Sequence, residues 1–344
     1  MRFTRARLCA FGYALPPLVV SSAALEERLA PVYERLKLPG GRLSLMSGIE
    51  ERRFWPSGTK PSDAAALAGE RALAQAGMEA SEMDCLMVTS VSRDMLEPAT
   101  ASFVHHHLGM AQQCLVFDLS NACLGFLNGM LILAAMIETG QVRKGLIVAG
   151  ETAEDLVETT LRNILADSSL NRKSIKSFFA SLTIGSGAVG LVMADADVCR
   201  TGHVLVGGVC RANTAQNHLC RGGERSGSGT LMWTDSEELL KKGVETAHST
   251  WQDFLEEIGW QPETVSRFFC HQVGRAHSRL LFETLALDPR KNFETLASLG
   301  NVGSVSAPIT MAIGIEKGLL QAGERAAILG IGSGINCMML GVEW

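Results

Sequence analysis

The sequence contains no CxxC pair, no basic run, no Pro- or Ser-rich linker and no apolar stretch long enough to cross a membrane. Each absence removes a class of protein. Nine cysteines, at 9, 85, 114, 123, 199, 210, 220, 270 and 337, are an odd number spread over 344 residues. That usage suits free thiols in a reducing cytosol better than a disulfide-stapled secreted scaffold. With a net charge of -5 and scattered Lys and Arg residues, the chain lacks the basic stripe of a nucleic-acid binder, so an anionic ligand has to be met by a local cluster. Three arginines precede an apolar stretch at the N-terminus, but Gly12 and the Pro16-Pro17 pair interrupt it, which argues against export and for a cytoplasmic protein. The longest strongly apolar region, from Leu124 to Ile137, is broken by Asn128 and falls short of the ~20 residues of a membrane span. It reads as a buried helix.

The 47% hydrophobic and 19% charged residues are enough for a large folded core. A helical pattern, PSDAAALAGERALAQAGMEA, ends near Gly77 and leads into the strand DCLMVTS; LKKGVETAHSTWQDFLEEIGW ends near Gly259 and leads into SRFFCHQV. Two more apolar strands, VRKGLIVAGETA and GERAAILGIGSG, end in glycines. Cys85 lies 63 residues before Val148, and Phe269 lies 60 before Leu329. This near-equal spacing predicts two similar βαβ-rich halves, 1–196 and 197–344, forming one α/β unit with sheets covered on both faces. Segment 151–180 has no counterpart in the second half and reads as a helical insertion covering a site or a dimer contact.

Within SNACLGF, Cys123 follows the strand CLVFD and precedes the helix from Leu124. A thiol there meets unsatisfied backbone N–H groups that lower its pKa; the alternative is a small buried hydrophobe. His271 ends an apolar strand, where α/β sheets present side chains to a crevice, whereas His277 reads as a helix-face residue. Asn301 stands 29 residues before Gly330, as Cys123 stands 27 before Gly150, which places both near the pseudo-twofold seam. By type alone, Asn301 is a turn asparagine. The turn GIGSGIN lacks the Lys-Ser/Thr ending of a phosphate loop but can aim a backbone N–H at a reacting carbonyl oxygen. No metal centre is expected: the consecutive His105, His106 and His107 cannot all face one ion, and Cys210, His218 and Cys220 lack a fourth ligand.

Together, SNACLGF, CHQVG, GNVGSVSAP and GIGSGIN, in this order from about residue 5 to the end of the chain, resemble the thiolase superfamily and its ketoacyl synthase III branch. The resemblance implies a five-layered αβαβα fold of two pseudo-twofold-related halves and a homodimer. It also implies a site of Cys123, His271 and Asn301, with an oxyanion hole from the backbone N–H groups of Cys123 and Ser333. The stretch TSVSRDMLEPATASFVHHHLG is most similar to the OleA type, which joins two fatty acyl-CoAs head to head in long-chain olefin biosynthesis. In that type the glutamate of LEP reaches the partner subunit's site as the base, which implies Glu97 here. By residue type alone, Glu97 is a solvated loop carboxylate. The HQ-x-N of ketoacyl synthase III is HQVG here, with Gly274 in place of asparagine, which weighs against malonyl condensation with a carrier protein.

Joining two acyl thioesters requires one acyl group held covalently and a second deprotonated at its α-carbon. Loading Cys123 by thioester exchange is nearly isoenergetic, because sulfur replaces sulfur. The second substrate has no carboxylate to lose, so a base is needed, a role open to a carboxylate whose proton affinity is raised by burial. The expected reaction is a non-decarboxylative Claisen condensation of two fatty acyl-CoAs, without a cofactor. It would give a 2-alkyl-3-keto acid for downstream enzymes of a long-chain olefin or β-lactone type pathway. The alternatives are a decarboxylating 3-oxoacyl-carrier-protein synthase III and a non-catalytic thiolase-fold partner subunit. Arg52, Arg53, Arg221 and Arg225 are the candidate cations for the CoA phosphates. Met-rich segments such as MLILAAMI suit an acyl-chain lining or, more commonly, a core.

Overall fold

Apolar strands flanked by capped amphipathic helices build the chain's regular elements. The computed structural model describes residues 1–225 and 229–344, the side chains of 224, 225 and 229 excepted. The strands are β1 (Ala6–Ala14), β2 (Leu18–Ser21), β3 (Glu51–Phe54), β4 (Cys85–Val88), β5 (Leu115–Asp118), β6 (Lys144–Glu151), β7 (Gly187–Asp195), β8 (His203–Ala212), β9 (Cys220–Arg225), β10 (Gly229–Thr234), β11 (Arg267–Cys270), β12 (Asn292–Phe293), β13 (Arg325–Gly332) and β14 (Asn336–Glu343). The helices are α1 (Ser22–Arg28), α2 (Ala30–Leu36), α3 (Arg42–Ser47), α4 (Pro61–Ala76), α5 (Thr100–His107), α6 (Gly125–Glu138), α7 (Glu154–Ala166), α8 (Lys176–Leu182), α9 (Ser236–Ile258), α10 (Arg275–Thr284), α11 (Leu296–Leu299) and α12 (Ser306–Glu316). Gly77 and Gly259 terminate α4 and α9 in the left-handed conformation, as a glycine without Cβ does at little cost.

Ten strands form one hydrogen-bonded sheet in the order β12-β11-β13-β14-β8-β1-β7-β6-β4-β5. Read outward from the central β8–β1 pair, the arms run β14-β13-β11-β12 and β7-β6-β4-β5. In each arm the inner neighbours are antiparallel and the outer three strands parallel. Strands β1 and β8 join the arms at Arg7↔Val204 and Leu8↔His203, extended by an isolated bridge Arg2↔Gly207, and residue 196 falls in the turn between β7 and β8. Helix α4 packs on β1, β6 and β7, and α9 on β8, β13 and β14, so each covers one outer face. Helices α6 and α12 touch strands of both arms and form the middle layer. The stacking is the αβαβα arrangement of a thiolase fold.

The main core joins both arms across that middle layer: Leu127, Met130 and Leu133 of α6 pack with Val189, Leu191, Ile328 and Leu340. The Met-rich stretch is therefore core rather than the lining of an acyl-chain tunnel. The segment after β6 holds α7 and α8, which bury Val157, Leu161 and Phe179 against Leu25 and Leu29 of α1 and its flank. It also supports strand β10 of the β9–β10 hairpin. None of the described helices is long and apolar enough to cross a membrane.

Helix α4 lies unusually close to β1: a Cβ at Gly12 would stand 2.2 Å from the backbone nitrogen of Ala72. Because two backbones meet there, no side chain can yield. Gly12→Ala is expected to destabilise the protein by about 1–3 kcal/mol, as overpacking does, read as a lower urea midpoint at unchanged slope; an unchanged midpoint would contradict this packing.

Candidate active site

Cys123 does not belong to α6 itself. It precedes the helix by two residues, after Ala122, whose φ of +46° is a left-handed conformation that costs a non-glycine residue about 1–2 kcal/mol. A chain of amides holds this bend. Asn121 donates from Nδ2 to Asn128 Oδ1 at 2.7 Å, and Asn336 donates from Nδ2 to Asn121 Oδ1 at 3.0 Å and to the Ser333 carbonyl at 3.4 Å. The network ties the cysteine loop to the turn between β13 and β14, where a Cβ on Gly332 would lie 3.7 Å from that of Cys123. Ser333, the next residue, thus has its backbone beside the thiol.

Helix-terminus activation of the thiol is not what the structure shows. Burial, then the proximity of Cys220 and of the Glu151 carboxylate, push Cys123 up to about 12. The thiol rests protonated because desolvation and neighbouring negative charge outweigh its own backbone N–H.

His271 follows β11, fully buried at 3% exposure, and neither ring nitrogen has a hydrogen-bond partner among the described residues. Burial, reinforced by His277, lowers its pKa to about 3. His277, on α10 as expected, is itself pushed down to about 4 by burial, a second neutral imidazole near enough to act on His271.

Asn301 precedes α12 and is held from both sides. Its N–H donates to Thr183 O at 3.0 Å and its carbonyl accepts from Gly185 N at 2.9 Å, while its Oδ1 accepts from Gly303 N at 3.1 Å and Ser306 Oγ at 3.5 Å. The amide is oriented, and Nδ2 has no protein partner among the described residues.

Glu151, the last residue of β6, connects these pieces. Only 5% exposed, its Oε1 accepts from Val91 N at 2.8 Å and Ser304 N at 3.4 Å. Its Oε2 accepts from Ser92 N at 3.0 Å and Ser92 Oγ at 2.8 Å. Burial raises its pKa against the pull of these four donors. Glu97 lies elsewhere: it is exposed on loop 91–99, beside Met95 and Leu96, the latter 90% exposed. Within one chain, then, Cys123, Asn301, Ser333 and Glu151 form one neighbourhood and His271 offers a bare imidazole at a strand end, while Glu97 points away into solvent.

Two models of 3-oxoacyl-[acyl-carrier-protein] synthase III match the chain, one over residues 117–168 and its C-terminal counterpart over residues 255–344. The chain is 40% identical to the acyl-CoA:acyl-CoA alkyltransferase of Shewanella oneidensis and 37% identical to that of Xanthomonas campestris, with full coverage of both chains in each case. The chain belongs to the OleA-type acyl-CoA:acyl-CoA alkyltransferases. Cerulenin-bound OleA of Xanthomonas campestris superimposes with a TM-score of 0.96 at 37% identity, over 100% of this chain and 98% of that one. Solved forms of that OleA include variants with a cysteine, a histidine or a glutamate replaced. As a member of this family, the protein is a thiolase-fold acyltransferase.

Of the four arginines expected to meet the CoA phosphates, Arg52 is excluded by its burial. Arg52 is fully buried, donates to Val20 O at 3.3 Å and Ser22 Oγ at 3.0 Å, and is lowered to about 10 by burial. It braces the glycines flanking the Asn301 loop, because its Cβ lies 3.2 Å and 3.4 Å from Cβ positions built at Gly185 and Gly300. A residue so enclosed cannot meet a CoA phosphate arriving from solvent. Arg53 is half-buried and donates to Pro16 O at 3.1 Å, Arg221 is exposed on β9, and the Arg225 side chain lies outside the described residues. Among the described residues, no group of three or more His, Cys, Asp or Glu side chains is placed to hold a metal ion. His105 caps the end of α5 by bonding Ala111 O at 3.0 Å. A cavity of about 710 Å³ is lined by Arg200, His203, Arg325 and Trp344 at the opposite end of β13 from Gly332.

Glu151 and the Asn121–Asn336 link were missed from the sequence. A carboxylate closing the apolar run GLIVAGE is the same signal that marked His271 at the end of its own strand.

Because burial holds His271 neutral, it resists the proton that an unfolded histidine, at about 6.5, accepts. Its contribution is complete above that value and is lost as the pH falls toward about 3, at ~1.4 kcal/mol per pH unit. Urea unfolding at pH 7 and pH 5 should show this loss in the native protein and a smaller one in His271→Ala; equal losses would remove the assignment.

Proposed function

We propose that the protein joins two fatty acyl-CoA molecules by a non-decarboxylative Claisen condensation through an acyl-Cys123 intermediate. The Cys123 thiol attacks the first acyl carbonyl while His271, neutral and bare at both nitrogens, takes its proton and passes it to the departing CoA thiolate. The backbone N–H groups of Cys123 and Ser333 stabilise the oxyanion. The second acyl-CoA then loses an α-proton to Glu97, and its enolate oxygen is held by His271 and by Asn301 Nδ2. Its α-carbon attacks the acyl-enzyme carbonyl, Cys123 leaves as thiolate and is reprotonated, and hydrolysis of the remaining thioester gives a 2-alkyl-3-keto acid and CoA.

The observation that carries this reading is the position of Glu97. Its carboxylate projects from one chain on a loop tip whose Met95 and Leu96 are exposed apolar residues. Burial of that tip in a second copy removes apolar surface from water and delivers a carboxylate to a site that otherwise lacks a base able to reach substrate. Glu151 cannot serve, since four donors already engage it. On this reading the protein acts as a homodimer, with Arg53, Arg221 and Arg225 the remaining candidates for the CoA phosphates. Incubation with myristoyl-CoA alone should release CoA and a C–C coupled β-keto acid or its ketone. Product formed only after addition of a malonyl thioester would instead establish a decarboxylating synthase.

A further inference from the structure

We propose that Glu151 is a positioning residue that holds, from its own chain, the loop whose tip carries Glu97 to the partner subunit's site, and thereby governs carbon–carbon bond formation more than loading of Cys123. The proposal rests on the reading of Glu97 as the base.

Loop 91–99 is tethered through Val91, Ser92 and Asp94; besides the bonds below, Ser92 Oγ accepts from Thr152 N at 3.1 Å and Asp94 N donates to Thr100 Oγ1 at 3.3 Å. At its start, the N–H groups of Val91 and Ser92 and the Ser92 hydroxyl all donate to the Glu151 carboxylate, at 2.8, 3.0 and 2.8 Å. Two residues further on, Asp94 accepts from Ser62 N at 2.9 Å and Ser62 Oγ at 2.6 Å at the start of α4. Past these anchors the tip with Met95, Leu96 and Glu97 projects freely. The same carboxylate accepts from Ser304 N at 3.4 Å, and Ser304 Oγ donates to Thr89 O at 2.7 Å. Gly303 fits this contact: its φ is +54°, and a Cβ there would stand 3.2 Å from Glu151 Oε1. Between them, these bonds clamp the loop that presents the base to the turn that presents the Asn301 amide. Glu151 is also near enough to Cys123 for its charge to act on the thiol. A buried carboxylate is costly unless fully hydrogen-bonded, and here three of the donors that satisfy it come from the start of the Glu97 loop, so satisfying the carboxylate fixes that loop.

In Glu151→Gln the amide NH₂ replaces one acceptor, so at least one loop N–H faces a donor instead. Acylation needs neither Glu97 nor its loop, whereas condensation needs both. Two rates are therefore read on the full-length protein: gain of acyl mass on Cys123 in a single turnover, and formation of coupled product from myristoyl-CoA. Glu151→Gln should slow coupling at least 30-fold more than acylation, Ser92→Ala should show the same imbalance in milder form while leaving the buried carboxylate in place, and Glu151→Asp should recover part of the coupling. Equal slowing of both rates in folded Ser92→Ala and Glu151→Gln, or no slowing, overturns the proposal; if Glu151→Gln does not fold, Ser92→Ala decides alone. Glu97→Gln in the same assay separates the two ideas. Coupling retained in Glu97→Gln defeats the parent reading, and coupling lost there but balanced rates in the Glu151 and Ser92 variants defeat only this one.

Discussion

Cys123→Ala should fold, gain no acyl mass from myristoyl-CoA and lose condensation by at least ~10⁴-fold, the scale seen when a nucleophile that acts as a unit with its base is removed. Burial pushes the thiol up to about 12, so the protonated form dominates near neutral pH. On the proposed mechanism the thiol therefore loses its proton during attack, with neutral His271 as the acceptor. A permanent thiolate–imidazolium pair would require the opposite shifts. Truncating one half-buried sulfur costs stability on the order of 1 kcal/mol, so thermal unfolding should move little and the lost chemistry cannot be ascribed to misfolding. Eight other cysteines serve as internal controls, several deeply buried. An acyl adduct persisting in Cys123→Ala would remove Cys123 from its role.

Glu97→Gln should cut coupled product by about 10²–10⁴-fold, the range for a lost general base, while Cys123 is still acylated. Glutamine keeps the size and polarity of the side chain and removes only the ability to take a proton. The acyl-enzyme should therefore accumulate and be visible by mass spectrometry. Since Glu97 is exposed within a single chain beside Leu96, its effect should be felt in trans. Mixing Glu97→Gln with Cys123→Ala protomers should restore activity in the mixed dimers, because one of the two sites then combines an intact Cys123 with an intact Glu97. Failure of the mixture to recover any activity, with mixed dimers demonstrated, would place the base in the same chain as the nucleophile.

Periodicity and end signals were sufficient for the elements that reach the site. The strands ending at Val88, Glu151, Cys270 and Gly332 are runs of apolar residues bounded by glycine or polar residues, and the helices before β4 and β11 close at Gly77 and Gly259. These are local properties, determined by side-chain burial and backbone freedom within a dozen residues. The same locality identified Cys123 at the turn into α6 and His271 at its strand end. It misled where a property depends on distant chain. Arg52 reads from the sequence as a candidate cation for the CoA phosphates, yet the Gly185 and Gly300 backbones close over it. The expected low-pKa thiol considered only the helix start and not Cys220 or Glu151, which lie 97 and 28 positions away in sequence.

By itself, then, the sequence determined the class of fold, the strands and helices that carry the candidate site, and the positions of Cys123 and His271 at a turn and a strand end, since these follow from local patterning and from motifs whose chemistry is written in residue type. Only the tertiary structure decided the protonation of that pair, the enclosure of Arg52, the outward direction of Glu97 and the four-donor clamp on Glu151. Desolvation and hydrogen-bond satisfaction are set by which segments meet in space: residues 91, 92 and 151 meet through the pairing of β4 with β6, and residue 304 joins them from the other half of the chain.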